Sequence, residues 1–159
     1  MARKDISMTD TEILEFLTEG TKVLHVATIG KDGMPHLAPM WYVMDGDRMV
    51  FRSFTRSQKI VNLMRDPRLT VLAEEGDSYA ELRGLSIQAN AELINDPTYI
   101  VETYRALAAK YSFFDDGPTD VPVDAAESTF GPFAPKNTAV IVNPITTASW
   151  DHRKLDGSY

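Results

Sequence analysis

The spacing of apolar and polar residues along this chain predicts a β-rich fold with helices inserted between strands. The segment "KVLHVATIGKDGMPHLAPMWYVMDGDRMVFRSF" is rich in β-branched and aromatic residues and contains two Asp-Gly pairs, Asp32-Gly33 and Asp45-Gly46. Each pair is typical of a tight turn between antiparallel strands, because both residue types tolerate a positive φ. The pattern therefore predicts three antiparallel strands, at 23–30, 34–45 and 48–54.

Three other segments have helical spacing. In "TDTEILEFLTEG", Thr9 is followed three residues later by Glu12, which predicts a capping box at the start of an amphipathic helix. The segment "SQKIVNLMRD" predicts a second helix. Before "PTYIVETYRALAAKYS", either Asn95 or Asp96 can cap a third helix that has Pro97 in its first position.

The rest of the chain predicts more strands and one long loop. "RLTVLAEE" is a strand, and "YAELRGLSIQANAELI" is one long strand or a pair that bends at Gly84. "TAVIVNPITTASWD" predicts a strand pair interrupted at Asn143-Pro144. Residues 113–137 are rich in Pro, Gly and Asp and have no clear period, so we expect a loop there that is a substrate lid, disordered, or packed in a dimer.

These elements together favour a closed or partly closed antiparallel barrel. About six short strands joined by hairpins do not alternate with helices as a doubly wound parallel sheet requires. A chain of 159 residues, 43% of them hydrophobic, is suited to a single core, so we expect one domain over 1–159. No G-x-G-x-x-G and no P-loop lysine motif is present.

Composition excludes several classes of function. The formal net charge of −7 argues against general nucleic-acid binding, which depends on many Lys and Arg residues. The absence of cysteine removes thiolate catalysis and cysteine metal ligands, and His25, His36 and His152 lack metal-ligand spacing, so we expect no metal site. The amino terminus is polar, and no apolar run approaches the roughly 20 residues that span a bilayer. We therefore expect a cytoplasmic protein without a membrane partner.

The stretch "FRSFTRSQKIVNLMRDP" gathers cations where a predicted strand meets a predicted helix. Thr55 and Gln58 resemble a capping box, which would start the helix near Arg56. A helix amino terminus carries partial positive charge and binds phosphate readily, and Ser57 and Lys59 would add a hydroxyl and an ammonium donor. The alternative is that these are ordinary solvated surface cations.

The sequence from "TIGKDGMPHLAPMWYVMDGDRMVFRSFTRSQKIVNLMRDPRLTVL" through "LRGLSIQANAELI" to "SWDHRKL" resembles the split-barrel flavoproteins related to pyridoxamine 5'-phosphate oxidase. The pattern "SWDHRKL" with "DPRLTVL" is most similar to the flavin/deazaflavin oxidoreductases of group B, many of which use coenzyme F420. The resemblance implies mostly β structure with helices, in a split antiparallel β-barrel. It also implies a homodimer with each cofactor in a groove between the subunits.

The resemblance further implies a set of cofactor-binding residues. Pro39, Met40 and Trp41 match the strand beside the cofactor ring, which would explain a proline that cannot donate to a neighbouring strand. Trp41 and Trp150 are alternatively plain core or interface residues. The other implied residues are the phosphate-binding Arg56, Ser57 and Lys59, their neighbours Arg52 or Ser53, Gln88 on the long strand, and Trp150 and Arg153 from the partner subunit.

The function expected from this resemblance is an F420-dependent reductase that transfers a hydride to a small unsaturated organic acceptor. Cations beyond the phosphate group, such as Arg52, Arg65 and Lys136, would suit the acidic tail of F420, and FMN is the alternative cofactor. The tail lacks the arginine-histidine substrate motif of pyridoxamine 5'-phosphate oxidase itself, so oxidation of vitamin B6 is not expected. No residue is assigned as a catalytic acid or base. A different class of function is a non-catalytic cofactor- or haem-binding protein that uses one of the three histidines as axial ligand.

Overall fold

The computed structural model describes residues 4–113 and 117–155. Within these residues, none of the helices has the length and apolar character needed to cross a membrane. The helices are α1 (Asp10–Thr18), α2 (Gln58–Arg65), α3 (Pro97–Lys110) and α4 (Val123–Phe130), with short 3₁₀ turns at Tyr79–Glu81, Gly131–Lys136 and His152–Leu155. The strands are β1 (Leu24–Ile29), β2 (Pro35–Met40), β3 (Val43–Asp45), β4 (Arg48–Phe54), β5 (Arg68–Glu75), β6 (Arg83–Ile94) and β7 (Asn137–Asp151).

The seven strands form one antiparallel sheet in the order β2-β1-β5-β6-β7-β4-β3. The two edge strands, β2 and β3, are consecutive in the chain and are joined only by Trp41 and Tyr42. The edges must therefore lie near each other, and the sheet curls into a half-barrel. The prediction of a partly closed antiparallel barrel rather than a parallel sheet is confirmed.

Two apolar clusters lie on opposite faces of this sheet. The inner cluster takes side chains from the strands around the barrel, and α1 adds Phe16 and Leu17 to it. The outer cluster packs α3 and α4 against the other face of β4 and β7, with Tyr104, Leu107 and Phe130 buried in it. Because neighbouring residues of a strand point to opposite faces, one strand can supply both clusters. Phe51 of β4 is in the inner cluster, for example, whereas its neighbour Val50 is in the outer one.

Both predicted Asp-Gly turns and the predicted caps of α1 and α3 are present. Gly33 and Gly46 have φ values of 84° and 63°, as the two Asp-Gly pairs require. The Glu12 amide donates to Thr9 Oγ1 at 3.3 Å, and the Thr9 amide donates to Glu12 Oε2 at 2.7 Å, which completes the capping box. Asp96 caps α3 by accepting from the amide of Tyr99 at 2.8 Å.

The sequence predictions are wrong about strand continuity in two places. The predicted strand 34–45 is divided at Trp41 into β2 and β3. Conversely, β7 is continuous where a pair of strands was predicted. The strand β6 is also continuous, which agrees with the first of its two predicted alternatives. In β7 a register shift opposite Gln88 and Ala89 leaves Ile145 as an extra residue, and this bulge accommodates Pro144 inside the strand.

The predicted loop 113–137 is largely helical. It contains α4 and the turn Gly131–Lys136, and Ala126 and Phe130 of α4 are buried against α3. Residues 114–116 lie outside the described part of the chain. The helix escapes sequence analysis because it is only eight residues long and lies between prolines, so that tertiary packing rather than local propensity stabilises it.

Lys110, in the last turn of α3, predicts a pH dependence of stability. Its Nζ lies 4.0 Å from the ring centroid of Tyr42, and burial lowers the pKa of Lys110 from 10.5 to about 8. Between these values Lys110 holds fewer protons in the folded protein than in the unfolded chain, so the contribution of Lys110 to the free energy of unfolding should rise with pH from about 8 to 10. In the variant Lys110→Met, urea unfolding across this range should show a smaller rise. A rise equal to that of the parent protein would contradict the assignment.

Candidate functional site

A cavity of about 370 Å³ lies where β2 and β4 end beside α3. Five of the residues implied in cofactor binding line this one cavity, although β2 and β4 are not neighbours in the sheet. The lining residues are Val23, Pro39, Met40, Trp41, Arg52, Ser53, Phe54, Leu107 and Phe113.

The wall on the β2 side is an edge strand followed by stacked aromatic rings. Pro39 pairs with His25 of β1, and β2 has no strand on its other side, as the proline predicts. The Trp41 ring stacks on Tyr111 with centroids 4.9 Å apart and meets Phe113 edge-on at 5.2 Å. Trp41 therefore belongs to the cavity wall rather than to the barrel core.

On the β4 side, the cavity-lining Ser53 contacts Ser57 and Lys59, and we call these three residues the Ser-Lys cluster. The hydroxyls of Ser53 and Ser57 are 3.0 Å apart, and Lys59 Nζ donates to Ser53 Oγ at 3.2 Å. Burial lowers the pKa of Lys59, and no carboxylate of the described residues forms an ion pair with it. The cluster thus presents hydroxyl and ammonium donors without a protein anion to neutralise them.

The predicted capping box at Thr55 is wrong. Helix α2 begins at Gln58, its N-cap is Ser57, and the Ser57 side chain makes no capping hydrogen bond. Thr55 Oγ1 instead lies 2.9 Å from Thr138 Oγ1 of β7. Among the residues that the structure describes, no side chain accepts from the first-turn amides of α2, which leaves them able to bind an anion beside the Ser-Lys cluster. Arg56 is exposed just before this helix.

Arg52 forms a separate group, because its side chain leaves β4 on the face opposite to that of Ser53. Its Cζ lies 4.1 Å from the ring centroid of Tyr104 and 5.6 Å from that of Phe113. Its Nη1 donates to Asn137 Oδ1 at 3.2 Å. Burial lowers the pKa of Arg52, and the neighbouring Tyr104 acts in the opposite direction. The cations predicted to surround one phosphate therefore lie in two places.

A family model described as pyridoxamine 5'-phosphate oxidase matches residues 9–131 of this chain. The chain belongs to the pyridoxamine 5'-phosphate oxidase family. A conserved hypothetical protein of Mycobacterium tuberculosis, Rv2991, is 34% identical, with a TM-score of 0.85 over 100% of this chain and 94% of that one.

Two other solved structures have a similar fold. A protein described as an F420 reductase is 27% identical, with a TM-score of 0.62 over 84% of this chain and 94% of the reductase. A candidate 5-nitroimidazole antibiotic resistance protein from Bacteroides thetaiotaomicron is 16% identical, with a TM-score of 0.67. The matched segments cover 92% of this chain and 86% of that protein, and at this identity the likeness shows the fold alone.

Three residues implied by the family resemblance lie away from the cavity of their own chain. Gln88 is exposed and lines a second cavity, of about 360 Å³, together with Ile145. Trp150 packs over Gly84, where a Cβ would come within 2.6 Å of the indole Cζ2. Arg153 donates through Nε to Asp151 Oδ1 at 2.8 Å. Their contact with a cofactor stays a prediction that requires a partner subunit.

No histidine is among the described residues that line the cavity between β2 and β4. His152 Nδ1 lies 2.7 Å from the carbonyl oxygen of Tyr79, and His36 has a buried Nδ1 without a hydrogen-bond partner in the described residues. Within 4–113 and 117–155, no three His, Asp or Glu side chains approach closely enough to hold a metal ion. An axial haem ligand is thus not available in the cavity wall.

Sequence analysis missed the residues that hold Arg52 in place. Tyr104 and Phe113 come from α3 and the segment after it, and Asn137 begins β7. None of these residues lies near Arg52 in the sequence, so no local spacing connects them. A faint signal is the aromatic content of "ETYRALAAKYSFF", which exceeds what one buried stripe of α3 requires.

Proposed function

We propose that this protein is an F420-dependent reductase that passes a hydride to a small unsaturated organic acceptor. The observation that carries the proposal is that the predicted ring-binding strand, at Pro39 to Trp41, meets Ser53, a predicted neighbour of the phosphate-binding residues, in one cavity. The similarity to the F420 reductase, at 27% identity over 84% of the chain, supports the cofactor class.

The residues present fit such a cofactor. The Ser-Lys cluster and the uncapped first turn of α2 would hold its phosphate, and exposed Arg56 would add charge at the same end. The β2 edge would lie beside its ring, where Pro39 takes the place of a strand donor. Exposed Lys136, just before β7, would suit the acidic tail of F420.

The chain's own contribution is binding, orientation and exclusion of water. The reduced cofactor, when bound, would supply the hydride. Trp41, Phe54, Leu107 and Phe113 give the cavity a largely apolar wall, which keeps water from the reacting atoms. The described lining residues include no carboxylate and no imidazole, so catalysis rests on proximity rather than on a side-chain acid or base.

FMN is the alternative cofactor, and direct binding distinguishes the two. The purified protein would be titrated with F420 and with FMN, each followed by its own fluorescence. We expect F420 to bind at micromolar concentration or tighter. Micromolar binding of FMN with none of F420 would replace the proposed cofactor, and binding of neither would overturn the proposed function.

We further propose a homodimer in which Gln88, Trp150 and Arg153 approach the partner's cavity. Support comes from exposed apolar side chains along the sheet, among them Leu37 at 66% and Ile145 at 64% exposure. Large exposed apolar surface on a soluble domain commonly marks an interface.

The dimer predicts a specific effect of charge at the β7 bulge. In the variant Ile145→Glu, sedimentation velocity should show a monomer, and F420 affinity should fall because the partner's residues are lost. Val123→Glu is the matched control, since Val123 is 68% exposed but lies on α4. A parent protein that is already monomeric, or an unchanged dimer in Ile145→Glu, would contradict this interface.

A further inference from the structure

The geometry around Arg52 points to a substrate class: we infer that Arg52 binds a carboxylate of the acceptor, so that the enzyme reduces planar, conjugated carboxylates. The inference rests on the proposed function for the reaction. The binding site itself rests only on the residues around Arg52.

Charge balance is the first argument. Within the described residues, the other arginines are either exposed, as Arg56 and Arg65 are, or have a carboxylate within ion-pair distance. Arg52 is partly buried and has no such carboxylate among those residues. Removing a cation from water without an anion is costly, so a carboxylate that enters the cavity would offset this cost.

The orientation of the guanidinium is the second argument. The ring centroids of Tyr104 and Phe113 are 6.0 Å apart. The two ring centroids lie 4.1 and 5.6 Å from Arg52 Cζ. If the rings lay on opposite faces of the guanidinium, the distance between their centroids would be close to the sum of these two distances. The observed distance is much shorter, so the two rings do not enclose the guanidinium. Asn137 accepts from Nη1 alone. A guanidinium has five N–H donors, so the remaining donors can hold a carboxylate in the two-pronged geometry that arginine favours.

The flat aromatic wall is the third argument, because it indicates the shape of the acceptor. Trp41 and Phe113 line the same cavity as Arg52, and the Trp41 ring is stacked on Tyr111. Stacked and edge-on rings held by one another present rigid surfaces to a planar π system. The reducible double bond would gain a hydride from the reduced cofactor at one carbon and a proton from solvent at the other. The carboxylate would remain unchanged throughout.

The test compares two probes of equal shape, trans-cinnamate and trans-cinnamamide, which differ in charge. Binding would be followed by isothermal titration calorimetry of the parent protein, which leaves both Trp41 and Trp150 in place. We expect cinnamate to bind at least about 10-fold more tightly than the amide, as a charge-assisted contact requires. Equal affinities, or no binding of either probe, would overturn the inference.

Three variants locate the effect. Arg52→Gln should reduce the cinnamate preference to about 1, whereas Arg52→Lys, which keeps the charge without the fork, should retain an intermediate preference. Arg105→Gln, one residue from Tyr104 on α3, should leave it unchanged. If Arg52→Gln does not fold, judged by circular dichroism, the parent protein and Arg52→Lys still decide. A preference that survives in folded Arg52→Gln would overturn the inference.

A titration with F420 separates this inference from the proposed function. In Arg52→Gln the loss should fall on cinnamate rather than on F420. A larger loss of F420 affinity than of cinnamate affinity would assign Arg52 to the cofactor and overturn the inference. If the parent protein binds neither F420 nor FMN but still prefers cinnamate, the proposed function fails while the carboxylate site stands.

Discussion

Replacing Lys59 with methionine is expected to weaken F420 binding by about 10- to 100-fold, since a hydrogen bond to a charged group contributes roughly 1.5–3 kcal/mol. Lys59 Nζ is held by Ser53 Oγ at 3.2 Å, at the start of α2, and no described carboxylate competes for it. Methionine keeps most of the apolar length of the side chain and removes the ammonium group, and with it both the charge and the hydrogen-bond donors. Burial already lowers the pKa of Lys59, so its loss should not harm the fold.

The measurement is a titration of F420 against both proteins, with the urea unfolding midpoint as a check on folding. Lys31→Met is the matched control, because Lys31 is exposed in the turn between β1 and β2. Ser57→Ala should cause a smaller loss than Lys59→Met, since it removes a neutral donor. Equal F420 affinity in the parent and Lys59→Met proteins would mean that the Ser-Lys cluster does not bind the cofactor.

Phe16→Ala is expected to lower the free energy of unfolding by about 3–5 kcal/mol, the range for removing a buried phenylalanine ring. Phe16 has no exposed surface and joins α1 to the inner cluster. Two cations also lie over its ring, Lys22 Nζ at 4.5 Å and Arg83 Cζ at 5.1 Å. The substitution therefore leaves a cavity and removes a favourable surface for both cations.

Urea unfolding with an unchanged slope would measure this effect. Leu14→Ala is the control on the same helix, because Leu14 is 44% exposed and its truncation should cost much less. Lys22 and Arg83 both pair with Glu75, so part of the cation network survives in Phe16→Ala. A loss no larger than that of Leu14→Ala would mean that Phe16 contributes little to the stability of the inner cluster.

Local chemistry predicted the parts of the fold that are determined locally. The Asp-Gly turns, the box at Thr9 and the cap at Asp96 each depend on residues within four positions of one another. The failure at Thr55 has a different origin. A serine nearer the helix takes the cap position, and β7 offers Thr138 as a partner, so a long-range contact displaced a local one.

The residues that the strands contribute to the site could be predicted from the sequence, whereas the aromatic rings around Arg52 could not. Pro39 and the cations around the junction of β4 and α2 stand out in the sequence because each breaks a rule, one for strands and one for an acidic chain. The rings that accompany Arg52 break no rule. Their role depends on how α3 packs on the outer face of β4, which only the folded chain reveals.

The two-residue connection between the edge strands β2 and β3 joins the cavity wall to the buried core of the barrel. Trp41 lines the cavity, while Tyr42, the next residue, is fully buried and donates from its hydroxyl to the carbonyl of Leu17 at 2.7 Å. Consider a ligand that contacts Trp41 and binds only the form in which β2 and β3 lie close together. By mass action, such a ligand must increase the population of that form. Amide hydrogen exchange in β2 and β3 should therefore slow when the cavity is filled, so the exchange rate of these two strands would measure cavity occupancy.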